Sequence, residues 1–229
     1  MIEVKQVEKS YGKKVILDKV DFSAKKGEVT CLIGENGSGK TTLLNAIMGL
    51  TPIDGGEILI NGKPRSKETY EIVAYIPDTL TMLPSMTIEE SFQFMKDFYK
   101  NWNGYRAEEI LEFFKLSRKE KIANLSKGNK MKTNLLLGLA LDADFLLMDE
   151  PFSGIDLLSR EQINEVFASH LIENRGVIIT THELDEIEFL VDYAVILQEG
   201  RVVKDFYTEE VREKEGKSIV DMMREVLKK

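Results

Sequence analysis

Apolar and polar side chains alternate along the first residues of the chain, and a period of two predicts antiparallel β-strands. The alternation runs through "IEVKQVEK" and returns in "KVILDKVDFSA". An apolar run, "GEVTCLIG", predicts a buried strand, and a glycine-rich turn then leads into "KTTLLNAIMGL", whose apolar period fits a helix. Two further strands are predicted in "GGEILINGK", closed by the turn dipeptide Asn61-Gly62, and in "EIVAYIPD", stopped by Pro77.

Between residues 79 and 141 the pattern changes to a helical period. The helical segments are "TIEESFQFMKDFYKNW", "RAEEILEFFKL" and "KGNKMKTNLLLGLALDA", and Thr87 followed by Glu90 fits a capping box. Strand patterns return in "DFLLMDEP", "GVIITTHE" and "YAVILQEGRVV". Helical stretches are predicted at 157–174 and 183–191 between them, and one or two charged helices at the end.

This order of elements predicts an α/β fold. Its core is a mixed, largely parallel sheet, preceded by an N-terminal antiparallel β subdomain and interrupted by a helical subdomain. We expect a single domain over 1–229, with a nucleotide-binding core at 1–78 and 142–229 and the helical subdomain at 79–141. A ligand of such a sheet binds at the carboxyl ends of the strands.

Composition narrows the choice of function. With 43% hydrophobic and 31% charged residues, a chain of 229 residues can bury a sizeable core and remain soluble. Its net charge of −8 argues against a general nucleic-acid binder, which usually carries a basic face. The single cysteine, Cys31, forms no disulfide framework, so a reducing compartment is expected. No segment resembles a signal peptide or a membrane span, and we expect a cytoplasmic protein that reaches a membrane through a partner.

A phosphate-binding loop is predicted directly after the strand "GEVTCLIG". Residues 34–41, "GENGSGKT", fit the pattern G-x-x-x-x-G-K-[ST] between a strand and a helix, where the alternative is a glycine-rich turn without a ligand. The glycines let several backbone N–H groups point at one anion, and the helix N-terminus adds partial positive charge. Lys40 is expected to reach the β- and γ-phosphates, Thr41 to ligate Mg²⁺, and Thr42 to contact the α-phosphate. The residues of this prediction are Asn36, Gly37, Ser38, Gly39, Lys40, Thr41 and Thr42.

Acidic residues follow another buried strand, in "FLLMDEP". Asp149 is expected to hold Mg²⁺ through its waters, as the strand-borne aspartate of P-loop NTPases does. Glu150 is placed to orient or deprotonate the attacking water, although "DEP" alone fits the end of a strand and the start of a helix equally well. His182 ends a third strand at the same sheet edge, and we predict a γ-phosphate contact for it rather than a purely structural place.

Five motifs follow one another in a fixed order along the chain: the P-loop, "LSKGN", "FLLMDEP", "SGID" and "TTH". On these motifs, the chain resembles the ATP-binding subunit of an ABC transporter over essentially all 229 residues. The resemblance implies two subunits that sandwich two ATP molecules head to tail. Tyr11 matches the aromatic residue that stacks on adenine. Residues 153–156 match the loop that crosses the dimer interface, and Asp156 is counted with the nucleotide-binding residues.

The same resemblance gives "LSKGN" a role. Ser126 would cap a helix, and Ser126 and Gly128 with the backbone N–H groups of that helix would also cover the γ-phosphate of the partner's ATP. Lys127 and Asn129 replace a glycine and a glutamine of the usual LSGGQ-type signature. We expect Lys127 to point into solvent, the alternative being that it adds charge near the phosphates.

A second departure is Asp78, which stands where the family usually has a glutamine after Pro77. Asp78 is expected to reach Mg²⁺ through a water molecule, or else to weaken hydrolysis or alter coupling to the membrane subunit.

The resemblance implies an enzyme that hydrolyses ATP with Mg²⁺ and powers translocation by a separately encoded permease. The LSKG-type signature is similar to that of small bacterial exporters, so export is expected, at the cytoplasmic face of the cell membrane. Met82, Met86 and Tyr99 are candidates for the permease interface, although they would equally fit the core of the helical subdomain. Two alternatives remain: a non-transport ABC ATPase acting on ribosomes or DNA, and a weakly hydrolysing subunit paired with a more active one.

Overall fold

The computed structural model describes residues 1–182, 184 and 187–227. Its strands are β1 (Ile2–Tyr11), β2 (Lys14–Ala24), β3 (Val29–Ile33), β4 (Gly55–Ile60), β5 (Lys63–Pro64), β6 (Val73–Ile76), β7 (Phe145–Asp149), β8 (Gly176–Thr181), β9 (Tyr193–Gln198) and β10 (Arg201–Tyr207). Its helices are α1 (Lys40–Met48), α2 (Thr69–Ile72), α3 (Ile88–Phe98), α4 (Gly104–Phe113), α5 (Lys127–Leu139), α6 (Leu157–Phe167), α7 (Thr208–Glu215) and α8 (Ile219–Leu227), and a 3₁₀ turn covers Ile122–Asn124.

The strands form two sheets, and both match the predicted fold class. The N-terminal sheet has the order β2-β1-β4-β5 and is antiparallel. The larger sheet has the order β10-β9-β3-β8-β7-β6 and is parallel, except that β10 pairs antiparallel with β9. The predicted α/β fold, with an antiparallel N-terminal sheet beside a mixed and largely parallel one, is confirmed.

The larger sheet is buried on both faces, which explains why its central strands lack alternation. Leu32 and Leu147 point into an apolar cluster shared with α1 and the antiparallel sheet. Their neighbours Ile33 and Met148 point the other way, into a cluster shared with α3, α4, α5 and α6. Successive side chains of a strand therefore serve two cores, one on each face of the sheet.

Helices α3, α4 and α5 occupy most of the region between β6 and β7. The predicted capping box at the start of α3 is present: the Glu90 N–H donates to Thr87 Oγ1 at 3.1 Å, and the Thr87 N–H donates to Glu90 Oε2 at 2.7 Å. The division of 1–229 into a core and a helical subdomain at 79–141 stays a prediction.

Two predicted helices differ from the structure. The stretch 157–174 is helical only to Phe167, because the Ser169 hydroxyl donates to Val166 O at 2.6 Å and accepts from Leu171 N–H at 3.2 Å, which turns the chain. The prediction at 183–191 falls partly outside the described residues, and 187–190 form turns. In the part of the chain that the structure describes, no helix combines the length and the apolar character that a membrane span needs.

Candidate functional site

The carboxyl ends of three parallel strands bring the predicted site residues to one edge of the sheet. Ile33 at the end of β3 pairs with Thr181 of β8, and Thr180 pairs with Asp149 at the end of β7. The phosphate-binding loop follows β3, the two acids lie at the end of β7, and His182 follows β8. Three segments that are separate in the sequence therefore meet at this edge, as expected for a sheet of this type.

The backbone of the phosphate-binding loop depends on two glycines. Gly39 adopts φ +110°, and a Cβ there would come within 2.9 Å of the Ile16 carbonyl oxygen. A Cβ on Gly34 would overlap the Leu197 carbonyl oxygen. Glycine is needed at both positions because the loop is wedged against β2 and β9.

Lys40, Glu150 and His182 form a chain of charged and polar contacts at the mouth of the loop. Lys40 is only 5% exposed, and its Nζ donates to Gly34 O at 2.7 Å and lies 3.2 Å from Glu150 Oε1. The other oxygen of Glu150, Oε2, lies 2.8 Å from His182 Nδ1. The Glu150 carboxylate is therefore held between a lysine and a histidine.

The backbone of Glu150 is also unusual. It adopts φ +46°, a left-handed conformation that non-glycine residues rarely take. Its N–H group donates to Thr180, contacting Oγ1 at 2.9 Å and the carbonyl oxygen at 3.2 Å. This turn directs the Glu150 side chain to Lys40 and His182, and strain of this kind is typical of functional sites.

Asp149 lies behind Glu150, with only 1% of its surface exposed. Its Oδ1 accepts a hydrogen bond from the Thr180 hydroxyl at 2.6 Å, whereas Oδ2 is buried without a hydrogen-bond partner among the described residues. Burial raises the pKa of the Asp149 carboxyl, the hydroxyls of Thr180 and Thr41 oppose this rise, and the negative charge of Asp78 adds to it.

These oxygen atoms suit Mg²⁺. A buried carboxylate oxygen without a partner and a nearby threonine hydroxyl are hard donors of the kind that Mg²⁺ prefers. Over the described residues, no group of three or more His, Cys, Asp or Glu side chains is arranged to hold a metal. Asp149 and Thr41 therefore fit a cation that takes its remaining ligands from phosphates and water.

A cavity of about 450 Å³ lies at the mouth of the phosphate-binding loop, and the buried Asp149 lies behind its wall rather than on it. Predicted site residues on its wall are Asn36, Gly37, Gly39, Lys40, Thr41, Thr42, Asp78, Glu150 and His182. Lys127 and Ser153, which belong to the signature and to the loop 153–156, also line it, and so do Lys14, Ile16 and Thr79, which the sequence pattern did not predict. Lys14 and Ile16 belong to β2, where no local motif marks them.

Several predicted residues lie outside the wall of this cavity. Ser38 lines a smaller cavity of about 160 Å³ on the other side of the loop, and Tyr11, at the end of β1, is 54% exposed. Ser126 caps α5 by accepting from the Asn129 N–H at 3.2 Å, as predicted from "LSKGN". Asp156, predicted as a nucleotide-binding residue, is the N-cap of α6, and its carboxylate accepts a hydrogen bond from the Ser159 N–H.

Gly128 and Asp156 pack directly on each other. The Asp156 carboxylate accepts from the Ser159 N–H at 3.0 Å and from its hydroxyl at 2.8 Å, and these bonds lower the pKa of Asp156. A Cβ on Gly128 would overlap Ser159 Oγ and lie 2.9 Å from Asp156 Oδ2. The spacing of Asp156 and Ser159 is the sequence signal that would have predicted this cap.

Lys127, the first residue of α5, is exposed and extends toward Gly154. Its ammonium lies over Gly154, where φ is +63°, so closely that a Cβ on this glycine would overlap Nζ. The side chain also lines the phosphate-binding cavity of its own subunit. Lys127 is thus both exposed, as expected, and on the wall of the cavity, so the two alternatives for this residue do not exclude each other.

Comparison with known proteins identifies the family. The family model described as ABC transporter matches residues 17–153. The chain belongs to the ABC transporter family. Within this family it is an ATP-binding subunit, in agreement with the sequence resemblance.

The ABC relatives include two curated bacterial proteins. The chain is 36% identical over 211 residues to the linearmycin resistance ATP-binding protein of Bacillus subtilis, covering 89% of this chain and 68% of the relative. It is 35% identical over 212 residues to the Nod factor export ATP-binding protein I of Burkholderia orbicola, and the match covers 89% of this chain and 70% of the relative.

Solved ABC structures share the fold. An ATP-binding subunit of an ABC transporter superposes with a TM-score of 0.85 at 30% identity, covering 99% of each chain. A dimeric ATP-binding cassette bound to ADP and phosphate gives a TM-score of 0.79 at 23% identity, covering 90% of this chain and 98% of the other. The second likeness is one of fold alone.

Proposed function

We propose that this ABC subunit hydrolyses ATP with Mg²⁺ at the edge where β3, β7 and β8 end. The observation that carries the proposal is the Glu150 carboxylate, held between Lys40 Nζ at 3.2 Å and His182 Nδ1 at 2.8 Å. Such a carboxylate can accept a proton from a water molecule beside the phosphate-binding loop.

The residues of the loop bind the nucleotide before the chemistry. Backbone N–H groups at 36–41 and the start of α1 hold the phosphates, and Lys40 transfers its contact from Glu150 to the β- and γ-phosphates. Glu150 then accepts a proton from a water molecule whose oxygen bonds to the γ-phosphorus, the bond from this phosphorus to the bridging oxygen breaks, and ADP and phosphate are released. His182 keeps the Glu150 carboxylate oriented and contacts the γ-phosphate. Tyr11 stacks on the adenine. Thr41 and Asp149 would hold Mg²⁺, with Asp78 reached through a water molecule, and the bound ion would neutralise negative charge at the phosphates.

We further propose that a second subunit completes the site. Ser126 lies outside the cavity of its own subunit and is exposed at the start of α5, so its hydroxyl and the first N–H groups of α5 are accessible to another chain's γ-phosphate. The exposed Leu157 and Leu158 at the start of α6 support an interface beside residues 153–156. The partner is a second copy of this chain or a related subunit.

The membrane partner is proposed to be a separately encoded permease that exports its substrate. The names of the two curated relatives, one for resistance and one for export, support this direction. A mostly apolar groove of about 320 Å³ between α3, α5 and β6 supports the docking site, and Met82, Phe94 and Tyr99 line it. Met86 packs against the core nearby. The subunit would then sit at the cytoplasmic face of the membrane.

The decisive experiment uses Glu150→Gln, which keeps the shape of the side chain and removes its charge. We expect this variant to bind ATP, to lose phosphate release, and to form a dimer by light scattering with Mg²⁺-ATP but not with Mg²⁺-ADP. Glu161→Gln, at an exposed position of α6, is the matched control and should keep wild-type turnover. Normal turnover by Glu150→Gln would remove Glu150 from the proposed role.

The permease requires a separate test. We expect the chain to copurify with an apolar membrane protein, and its ATP turnover to respond to that protein in liposomes. Copurification with ribosomes or DNA instead would favour a non-transport ABC ATPase. Slow turnover with tight ATP binding would favour a weakly hydrolysing partner subunit.

A further inference from the structure

One buried hydroxyl group, that of Thr180, contacts both acidic residues of the proposed site: the side chain of Asp149 and the backbone of Glu150. Thr180 lies on β8 beside Asp149 and is 0% exposed. Its hydroxyl donates to Asp149 Oδ1 at 2.6 Å and accepts from the Glu150 N–H at 2.9 Å. A threonine hydroxyl has one donor and two acceptor sites, so both bonds can form together.

The bond to Asp149 determines which carboxylate oxygen remains available. Asp149 is almost fully buried, and Oδ2 has no hydrogen-bond partner within the described part of the chain. Because Thr180 engages Oδ1, Oδ2 is the carboxylate oxygen left without a hydrogen-bond partner in the described part of the chain, and it is the one that would face a metal or its waters. Groups that hydrogen-bond a metal-binding carboxylate in this way commonly set metal affinity.

The bond to Glu150 supports a backbone conformation that is otherwise rare. Glu150 adopts φ +46°, and its N–H group has the Thr180 hydroxyl and carbonyl oxygens as acceptors. The turn places the Glu150 carboxylate against Lys40 and His182. Without the hydroxyl, the same N–H group would keep only the longer contact, at 3.2 Å, to the Thr180 carbonyl oxygen.

We propose that Thr180 is a positioning residue for both acids: it orients Asp149 toward the metal and holds the Glu150 turn. The proposal rests on the proposed function of Asp149 and Glu150. It concerns a residue two positions before His182, so β8 supplies the hydroxyl that arranges the acids and is followed directly by the histidine of the site.

Thr180→Val tests this role because valine keeps the shape of the side chain and lacks the hydroxyl. Thr180→Ser keeps the hydroxyl and should restore wild-type behaviour. Thr30→Val is the matched control: Thr30 is a 0% exposed threonine on the neighbouring strand β3, and its hydroxyl has no hydrogen-bond partner in the described ranges. Its loss should therefore change little.

Two readouts do not depend on turnover. The first is the affinity of the protein–ADP complex for Mn²⁺, measured from the electron paramagnetic resonance signal of free Mn²⁺. We expect Thr180→Val to weaken it about tenfold, as loss of a supporting hydrogen bond at a metal site commonly does, with Thr180→Ser and Thr30→Val near wild type. The second is hydrogen exchange at the Glu150 amide without nucleotide, which should become faster only in Thr180→Val.

Wild-type Mn²⁺ affinity and wild-type amide exchange in a folded Thr180→Val variant would overturn the proposal. If that variant does not fold, Thr180→Ser and Thr180→Ala replace it, since they differ only in the hydroxyl; equal Mn²⁺ affinities for these two would overturn the proposal as well. Glu150→Gln separates this result from the larger one. If Glu150→Gln loses turnover while the Thr180 variants keep wild-type Mn²⁺ affinity and amide exchange, only the role of Thr180 is refuted. Normal turnover in Glu150→Gln would instead refute the proposed function.

Discussion

The ammonium of Lys40 lies 3.2 Å from Oε1 of Glu150, with the two side chains only 5% and 15% exposed. These are the residues proposed to bind the phosphates and to accept the proton of water. A buried pair of this kind is costly to break unless one partner gains a substitute. The γ-phosphate is such a substitute for Lys40, so nucleotide binding would release Glu150 for catalysis.

Removing the lysine should therefore affect nucleotide binding first. We expect Lys40→Ala to weaken ATP binding about tenfold to a hundredfold, the range for losing a hydrogen bond between charged groups. Calorimetric titration with ATP measures this change. Lys13→Ala, at an exposed position near the site, removes the same charge and should bind ATP normally. Undiminished binding by Lys40→Ala would contradict the assignment of the phosphate-binding loop.

The two histidines of the sequence make a matched pair. His182 contacts Glu150 Oε2, whereas His170 contacts Glu109 Oε1 at the surface, also at 2.8 Å. We expect His182→Ala to lower kcat about a hundredfold, as the loss of an oriented proton-transfer group commonly does, with little change in ATP affinity. His170→Ala should keep wild-type kcat. Steady-state phosphate release measures both, and equal kcat values in the two variants would exclude His182 from the chemistry.

Gly128 should be intolerant of a side chain for a packing reason. Alanine there would press its Cβ onto Ser159 and Asp156, which together begin α6, and we expect a loss of about 1–3 kcal/mol in the free energy of unfolding. The control is Gly104→Ala at the start of α4, where a Cβ would meet only Trp102 Nε1, at 3.9 Å. This change should be neutral or slightly stabilising, because alanine favours helix more than glycine does.

Urea unfolding of both glycine variants provides the measurement. A Gly128→Ala protein as stable as Gly104→Ala would show that the start of α6 can move aside at little cost.

Lys127 should contribute charge to the cavity of its own subunit. We expect Lys127→Ala to weaken ATP binding by the monomer about twofold to fivefold, the scale of an exposed ionic contact, and the difference should shrink at high salt. Lys119→Ala, exposed and outside the cavity, is the charge-matched control. The comparison is made by titration at low and high salt, with light scattering to verify the monomer. If Lys127→Ala binds ATP as tightly as the wild type at both salt concentrations, the Lys127 ammonium does not interact with the phosphates.

The amino-acid sequence by itself determined the strands, most of the helices and the position of the phosphate-binding loop. These features are local: a period of two or 3.6, a capping box, and the glycine spacing of a phosphate-binding loop are visible within a few residues. The burial of β3, β7 and β8 on both faces also follows from their unbroken apolar runs. Even the Ser126 cap can be read from neighbouring residues.

Only the tertiary structure decided which distant groups meet. The Lys40–Glu150 pair, the Thr180 hydroxyl between the acids and the Lys127 ammonium over Gly154 each join different elements of the fold. Local pattern does not encode such contacts, because they depend on strand order, on register and on which backbone leaves space for an approaching side chain. For the same reason α6 ends at Phe167, where a serine hydroxyl competes with the helix for its carbonyl groups, while the apolar pattern continues beyond it.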